Sequence, residues 1–300
     1  MAGFRRSRRR LGKRVVTMKI KEERKVQKKR LGIWYRTGFM LTNRLFVSSF
    51  KLLLATLGTL LIVLAISNSV YAGPPFRTDD PETVEYRNGE FYVAHAYSND
   101  RGGVSGTAPH LETNFGIVPN VQLHLTIPMA FSRPNGEATL YGPGDVELGV
   151  KYRFVQEAEN RPMVGTFPIV HLPTGNSDRG LGNGSAQVFL PLWLQKAWGP
   201  WQTYGGGGYW INPGTDNQNF WFFGWQVQRE VNKRLTIGAE IFNQTPAVKD
   251  GSYETGYNIG TMINFTENHH FIFSGGTDIW GQNLFSYYAA YLWTWGPSEK

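Results

Sequence analysis

The 300 residues carry a formal net charge of +8, 41% hydrophobic residues and no cysteine, so there is no disulfide framework, no thiolate metal site and no cysteine nucleophile. The charge averages two unlike segments. Up to Ala72, 17 Lys and Arg stand against Glu22 and Glu23 for +15, whereas from Gly73 onward 14 Lys and Arg face 21 acids for −7. The main body is acidic, which excludes nucleic acid as its partner.

Residues 1–39, with the runs RRSRRR and KKR, are too long and too charged for an ordinary signal-peptide n-region. They read as a superfluous or disordered basic extension, with translation starting at Met40 or Met18 rather than Met1. A basic arm for nucleic acid is the rival reading, and an exported chain has no use for one. Residues 40–72 read as the signal peptide itself. Leu52 to Ile66 form a 15-residue apolar run after Arg44 and Lys51. That is shorter than the roughly 20 residues of a spanning helix. Val70 and Ala72 then place small residues where a signal peptidase reads, so cleavage falls between Ala72 and Gly73. An uncleaved membrane anchor is the alternative. Residues 73–89 read as an extended periplasmic segment whose adjacent acids Asp79 and Asp80 lie at the periplasmic rim. A cap or plug suits that pair better than acid/base chemistry.

Past the leader the period is two. In Asp145–Phe154, Val146, Leu148, Val150, Tyr152 and Phe154 form one face, and Asp145, Glu147, Gly149, Lys151 and Arg153 the other. A soluble sandwich would pack the apolar face on a second sheet, whereas a membrane barrel turns it to lipid and the charges to a lumen. The pattern recurs over 121–127, 235–241 and 256–264, and is weaker in the first strand and at Gly205–Gly208. Turn signals give an all-β fold: a transmembrane antiparallel up-and-down barrel of about 12 strands over 90–296, followed by a short tail, 297–300. Short connections near 118–120, 197–200, 231–232 and 266–269 alternate with longer ones near 132–143, 172–184, 211–218 and 245–253, which sets both barrel termini on the periplasmic side. Phe285, Tyr287, Tyr291, Trp293 and Trp295 alternate at the end of the chain, like the aromatic C-terminal signal of outer-membrane proteins, and Trp221, Phe223 and Trp225 suit an interfacial girdle.

The segments GPGDVELGVKYRF at 142–154, HLPTG at 171–175 and GLGNG at 180–184 resemble the family known as putative MetA-pathway of phenol degradation, with TDDPETVE at 78–85 and 108–125 resembling one branch of it. The resemblance covers roughly 76–295. It implies a Gram-negative outer-membrane barrel thought to pass small hydrophobic or aromatic compounds, and it carries no assigned site residues.

Candidate sites follow from the inward face. His110, Glu112, His124, Asp145, Glu147, Lys151, Arg153 and Glu240, with Glu254 beside them, are expected to line the lumen. Of these, Asp145, Glu147, Lys151 and Arg153 are expected to set charge selectivity, with folding indifferent to neutralising the two cations. No catalytic motif is found: there is no G-x-S-x-G elbow and no H-E-x-x-H helix, and Gly180, Gly182 and Gly184 are spaced too closely for a dinucleotide loop. His269-His270 lacks further metal ligands in the sequence. No cofactor or metal is expected. The expected partners are outer-membrane lipid, a small-molecule solute and, during biogenesis, periplasmic chaperones and the barrel-assembly machinery. Three functions stay open at this point: a constricted solute path, a closed scaffold or adhesin-like barrel, and a barrel enzyme acting on lipid or peptide. N-terminal sequencing of the outer-membrane form should read from Gly73. A start before Leu52 would make that segment an anchor.

Overall fold

A computed structural model describes residues 75–297. The leader, the junction at Ala72 and Gly73, the basic extension and residues 298–300 lie outside the described residues.

Twelve antiparallel strands close into a barrel. They are β1 (Gly89–Asp100), β2 (Gly103–Val118), β3 (Val121–Pro134), β4 (Leu140–Pro143 and Val146–Val155), β5 (Met163–Thr166 and Ile169–Leu172), β6 (Gln187–Trp198), β7 (Trp201–Ile211), β8 (Phe220–Asn232), β9 (Leu235–Gln244), β10 (Glu254–Asn264), β11 (His269–Trp280) and β12 (Asn283–Trp295). Each pairs with its sequence neighbours, and β1 closes the ring on β12 with Tyr92 opposite Leu292 and Val93 opposite Tyr291. Closure leaves no open edge, which is the condition for a sheet to sit in hydrocarbon.

Three local irregularities have chemical causes. β4 breaks at Gly144-Asp145, where the Asp145 carboxylate leaves the ladder and accepts from the backbone N–H of Gly175 (2.8 Å) and Asn183 (2.6 Å). β5 breaks at Phe167-Pro168, since proline has no N–H to give the ladder. The register of β2 shifts on both sides between Ala94 and Ala96 of β1 and between Thr107 and His110 of β2, where Pro109 likewise cannot donate. That shift changes which parity faces inward, from Ser105 and Thr107 to His110, Glu112 and Asn114.

Facing is inverted relative to a soluble protein. Leu123, Ile127, Leu148, Val150, Tyr152, Phe154, Trp221, Phe223, Trp225, Ile237 and Ile259 are exposed, while Gln122, His124, Thr126, Lys151, Gln195, Gln226, Glu240 and Asn258 are buried. An apolar belt of that extent is a lipid-facing surface, and the polar side chains point into the lumen. The glycine run of β7 obeys the same rule. Inward, Gly208 lies beneath the Phe189 ring; outward, Gly205 and Gly207 are covered by Trp225 and Phe223 of β8. Bare strand backbone is thus shielded by cross-strand aromatics.

Loop lengths follow the expected asymmetry in part. The longer connections, 173–186, 212–219 and 245–253, share one end, but that end also carries the tight turns at Arg101-Gly102 and Gly281-Gln282. The connection at 156–162 lengthens the opposite end. Arginine at Leu148 or Val150 should cost about 2 to 4 kcal/mol near the bilayer midplane. Urea titration of barrels folded into lipid vesicles measures this, and equal stability of arginine and alanine variants would invert the facing.

Candidate functional site

The inward face of β4 is a row of attachment points. Asp145, expected from the alternation to stand in the strand, instead sits in its break and holds the outer loop through Gly175 and Asn183. That loop is one short turn, Ser177–Arg179, capped by Asn176 and ended by Gly180 at φ 66°, with Leu181 buried against Gly142. The segments GPGD, HLPTG and GLGNG therefore meet in space at a single loop anchor. Two residues along, Glu147 bridges two histidines, accepting at 2.8 Å from His124 Nε2 and at 2.7 Å from His171 Nε2. Gly149 has no side chain because the Phe167 ring occupies that space. Lys151 donates to Asp79 at 2.9 Å and lies 3.6 Å from Asp80. Arg153 donates to Asn120 (3.0 Å) and Glu85 (3.2 Å).

The other candidates extend this network. His124 Nδ1 lies 2.7 Å from Asn114 Oδ1 and 3.6 Å from Glu112, and His110 stands 3.9 Å from Glu112. Glu240, on the opposite wall, is buried and accepts from Asn258 (2.6 Å). Glu254 lies 3.8 Å from Arg77. His269 and His270 take opposite faces: the first meets the Tyr291 hydroxyl at 2.6 Å, the second Asn264 at 2.8 Å.

Asp79 and Asp80 are not at the rim. Residues 75–85 run through the lumen as a strap, beginning at mid-barrel, where Ser274 donates to the Pro75 carbonyl, and ending near the turn between β2 and β3. Glu240 accepts from the Arg77 and Thr78 backbone N–H groups, both at 2.8 Å, and from the Thr78 hydroxyl at 2.6 Å. Gln122 accepts from Val84 N–H at 2.8 Å, and Gln195 donates to Glu82 at 2.9 Å. The Arg77 guanidinium lies 4.3 Å from the Phe242 ring centre, a cation–π contact. Burial, opposed by Lys151 and reinforced by Asp79 and Glu82, pushes the Asp80 carboxyl well above the usual range, and Asp79, at 2.9 Å against 3.6 Å, is the nearer partner of the ammonium. Burial likewise raises Glu82, against the Gln195 hydrogen bond.

The wall is shaped for this strap. A Cβ on Gly116 would strike Glu85, on Gly224 Thr78, on Gly165 Pro81 and on Gly260 Phe76. Four strands contribute one inward glycine each, and together these form the track in which the strap lies. Sequence reasoning missed this track together with Asn114, His171 and Gln195, whereas the alternation over 121–127 puts Gln122 on the inward face without naming its partner. The track's only trace in the sequence is glycine at inward positions of the alternation.

Two cavities flank the strap. One of about 170 Å³ is bounded by Glu90, Glu112, His124, Lys151 and Phe167. The other, about 570 Å³, opens toward the longer loops past Ser98, Asp100, Glu254, Ser286 and Tyr288. Phe76, Arg77 and Glu112 belong to the walls of both, so Phe76-Arg77 is the partition.

A closed twelve-stranded barrel, apolar outside and hydrogen-bonded within, is an outer-membrane β-barrel. Residues 90–293 match the model of the family described as "Putative MetA-pathway of phenol degradation", and the chain belongs to that family. Among solved structures, an outer membrane channel from Pseudomonas putida F1 is similar at a TM-score of 0.58 and 16% identity, over 75% of this chain and 100% of that one, a likeness of fold. The KdgM and NanC porins align at a TM-score of 0.46, with 8% and 10% identity, over 69% of this chain and 99% of theirs. No curated protein matches.

Gly224→Val should drive Thr78 out of its track while leaving the outer face unchanged. Limited trypsinolysis at Arg77 should become rapid in a barrel that still resists heat in detergent. Protection equal to wild type would mean that the track is not confining.

Proposed function

We propose that the protein is an outer-membrane channel for small solutes, exported with cleavage after Ala72, in which residues 75–85 close the path and must shift for a solute to pass. Such cleavage would leave Gly73-Pro74 ahead of Pro75, so the closing segment would be the mature N-terminus. The observation that carries the reading is the partition: the two cavities along the lumen share three lining residues, Phe76 and Arg77 of the strap and Glu112 of the wall.

The lumen offers both aromatic and polar surface, which bears on the solute. Phe167, Phe189, Trp193, Phe222 and Phe242 pack together as one buried wall, with Trp210 stacked on Phe189 at 4.7 Å. The far side presents Glu90, Glu112, Asn114, Asn258 and Ser274 beside a second apolar cluster of Tyr92, Ala94, Ile272, Ala290 and Leu292. A small molecule bearing a ring and a polar or charged group would meet both kinds of surface, and an aromatic ring is part of the phenol chemistry in the family's description. Lys151 and Arg153 then act mainly as strap holders and affect charge selectivity only once the strap has moved.

Planar-bilayer recording tests this. The mature protein should give small, intermittent conductance, and deletion of residues 75–85 should raise it several-fold. Silence from both proteins would favour the closed-scaffold reading, for which the dense bonding of the strap is the supporting observation.

A further inference from the structure

Lys151 is a cation of the barrel wall whose partners belong to the strap. The residue is 5% exposed, and among the described residues its ammonium pairs with Asp79 and Asp80. The wall's own acids are engaged elsewhere. Glu147, two positions along the same face, is held by His124 and His171. Glu240 binds the strap backbone and Asn258, and Glu90 accepts from the Tyr92 hydroxyl at 2.8 Å. When the strap leaves, Lys151 loses both of its paired carboxylates and faces the vacated lumen as an uncompensated cation. A neutral solute cannot correct that, and a carboxylate can.

The strap also shows what lies beside the carboxylate. Asp80 is followed by Pro81, whose ring is fully buried. Its Cβ occupies the space over Gly165, where an added wall Cβ would come within 2.9 Å. On the same inward face, the Phe167 ring centre is 5.0 Å from Lys151 Nζ. A cationic group, an adjoining ring-sized apolar space and an aromatic flank are thus built into one stretch of wall. At present they are filled by an aspartate and a proline ring.

We propose that Lys151, Phe167 and the space over Gly165 form a lumen site for small ring-bearing carboxylic acids, and that Asp79-Asp80-Pro81 occupies it as an internal substitute for that ligand. The inference rests on the channel reading insofar as the strap must be able to leave. Exchange of one carboxylate for another keeps Lys151 paired throughout, so such an acid would displace the strap where a neutral molecule of equal size would not. Because the strap is tethered, it competes at high effective concentration and weakens the apparent affinity of the free acid.

Benzoate is the probe, with acetate lacking the ring and benzyl alcohol lacking the charge. Isothermal titration in detergent needs no conduction, so it separates failure of this proposal from failure of the channel reading. The Asp79→Asn/Asp80→Asn variant should bind benzoate at least tenfold more tightly than wild type does, and more tightly than it binds acetate or benzyl alcohol. Adding Lys151→Gln leaves no unpaired charge behind, so this triple variant should fold, and it should lose benzoate binding. In bilayers, benzoate should raise wild-type conductance and benzyl alcohol should not. The proposal is overturned if the double variant does not bind benzoate, if benzyl alcohol binds as tightly, or if the triple variant retains the affinity. Benzoate binding to a silent barrel would keep the site and remove the channel.

Discussion

Hydrocarbon cannot hydrogen-bond a peptide group, and the remainder of this structure descends from that limit. Every backbone N–H and C=O in the membrane must find a partner inside the protein, so the sheet closes on itself through the β1–β12 pair. Closure gives each strand one face toward lipid and one toward a lumen, and the two-residue period then sends Glu147, Lys151, Gln195, Gln226 and Glu240 inward together. A twelve-stranded lumen lies between barrels whose interiors side chains fill and those that leave an open channel. Its charges are consequently neither freely hydrated nor self-sufficient, and they are answered by the strap. The strap is thus an outcome of closure: the lumen needs backbone N–H groups for Glu240 and carboxylates for Lys151, and residues 77–80 supply both.

The sequence makes the facing legible because facing depends only on parity. Val146 to Phe154 declares its lipid side, and Tyr287, Tyr291 and Trp293 declare theirs, without knowledge of any neighbour. Partners are a different matter. Parity places Glu147 inside but cannot say that it lies between two histidines, one on β3 and one on β5, because that depends on register and tilt. For the same reason the β4 charges read as free lumen charges in the sequence, whereas in the structure each is engaged: Asp145 by a loop, Glu147 by His124 and His171, Lys151 by the strap, and Arg153 by Asn120 and Glu85. The breaks were also hidden. Pro109 and Pro168 could be seen as ladder defects, but whether a strand ends there or continues past the defect is decided by the strands on either side. Asp79 and Asp80 lie outside any periodic segment, so nothing local distinguishes a rim from mid-lumen.

Glycine in this barrel has two unlike uses. Gly116, Gly165, Gly224 and Gly260 are inward and make room for another stretch of backbone, while Gly205 and Gly207 are outward and lie beneath Phe223 and Trp225. The first kind shapes the lumen and the second shields the strand from lipid. Composition alone, 35 glycines in 300 residues, cannot separate them.

The division of charge between wall and strap determines what kind of closure this is. A plug held by apolar packing alone would be stable in any solution that left the barrel folded. Here the strap brings Asp79, Asp80, Glu82 and Glu85 against Lys151, Gln195 and Arg153, while its backbone N–H groups satisfy Glu240 and Gln122. The contacts are distributed along the strap, and each also occurs within reach of the aromatic wall or of a cavity. Loss of the whole strap exposes charges on both partners at once, so partial withdrawal from one end costs less than complete release. The Pro75–Phe76 end, with the Ser274 hydrogen bond and the packing of Phe76 against Gly260, carries none of the ion pairs, and it is this end that borders the larger cavity. Withdrawal of that end alone leaves Arg77 on Glu254, Gln244 and Phe242 and the backbone of residues 77 and 78 on Glu240, so the partition persists until the strap is released further along, where Lys151 holds Asp79.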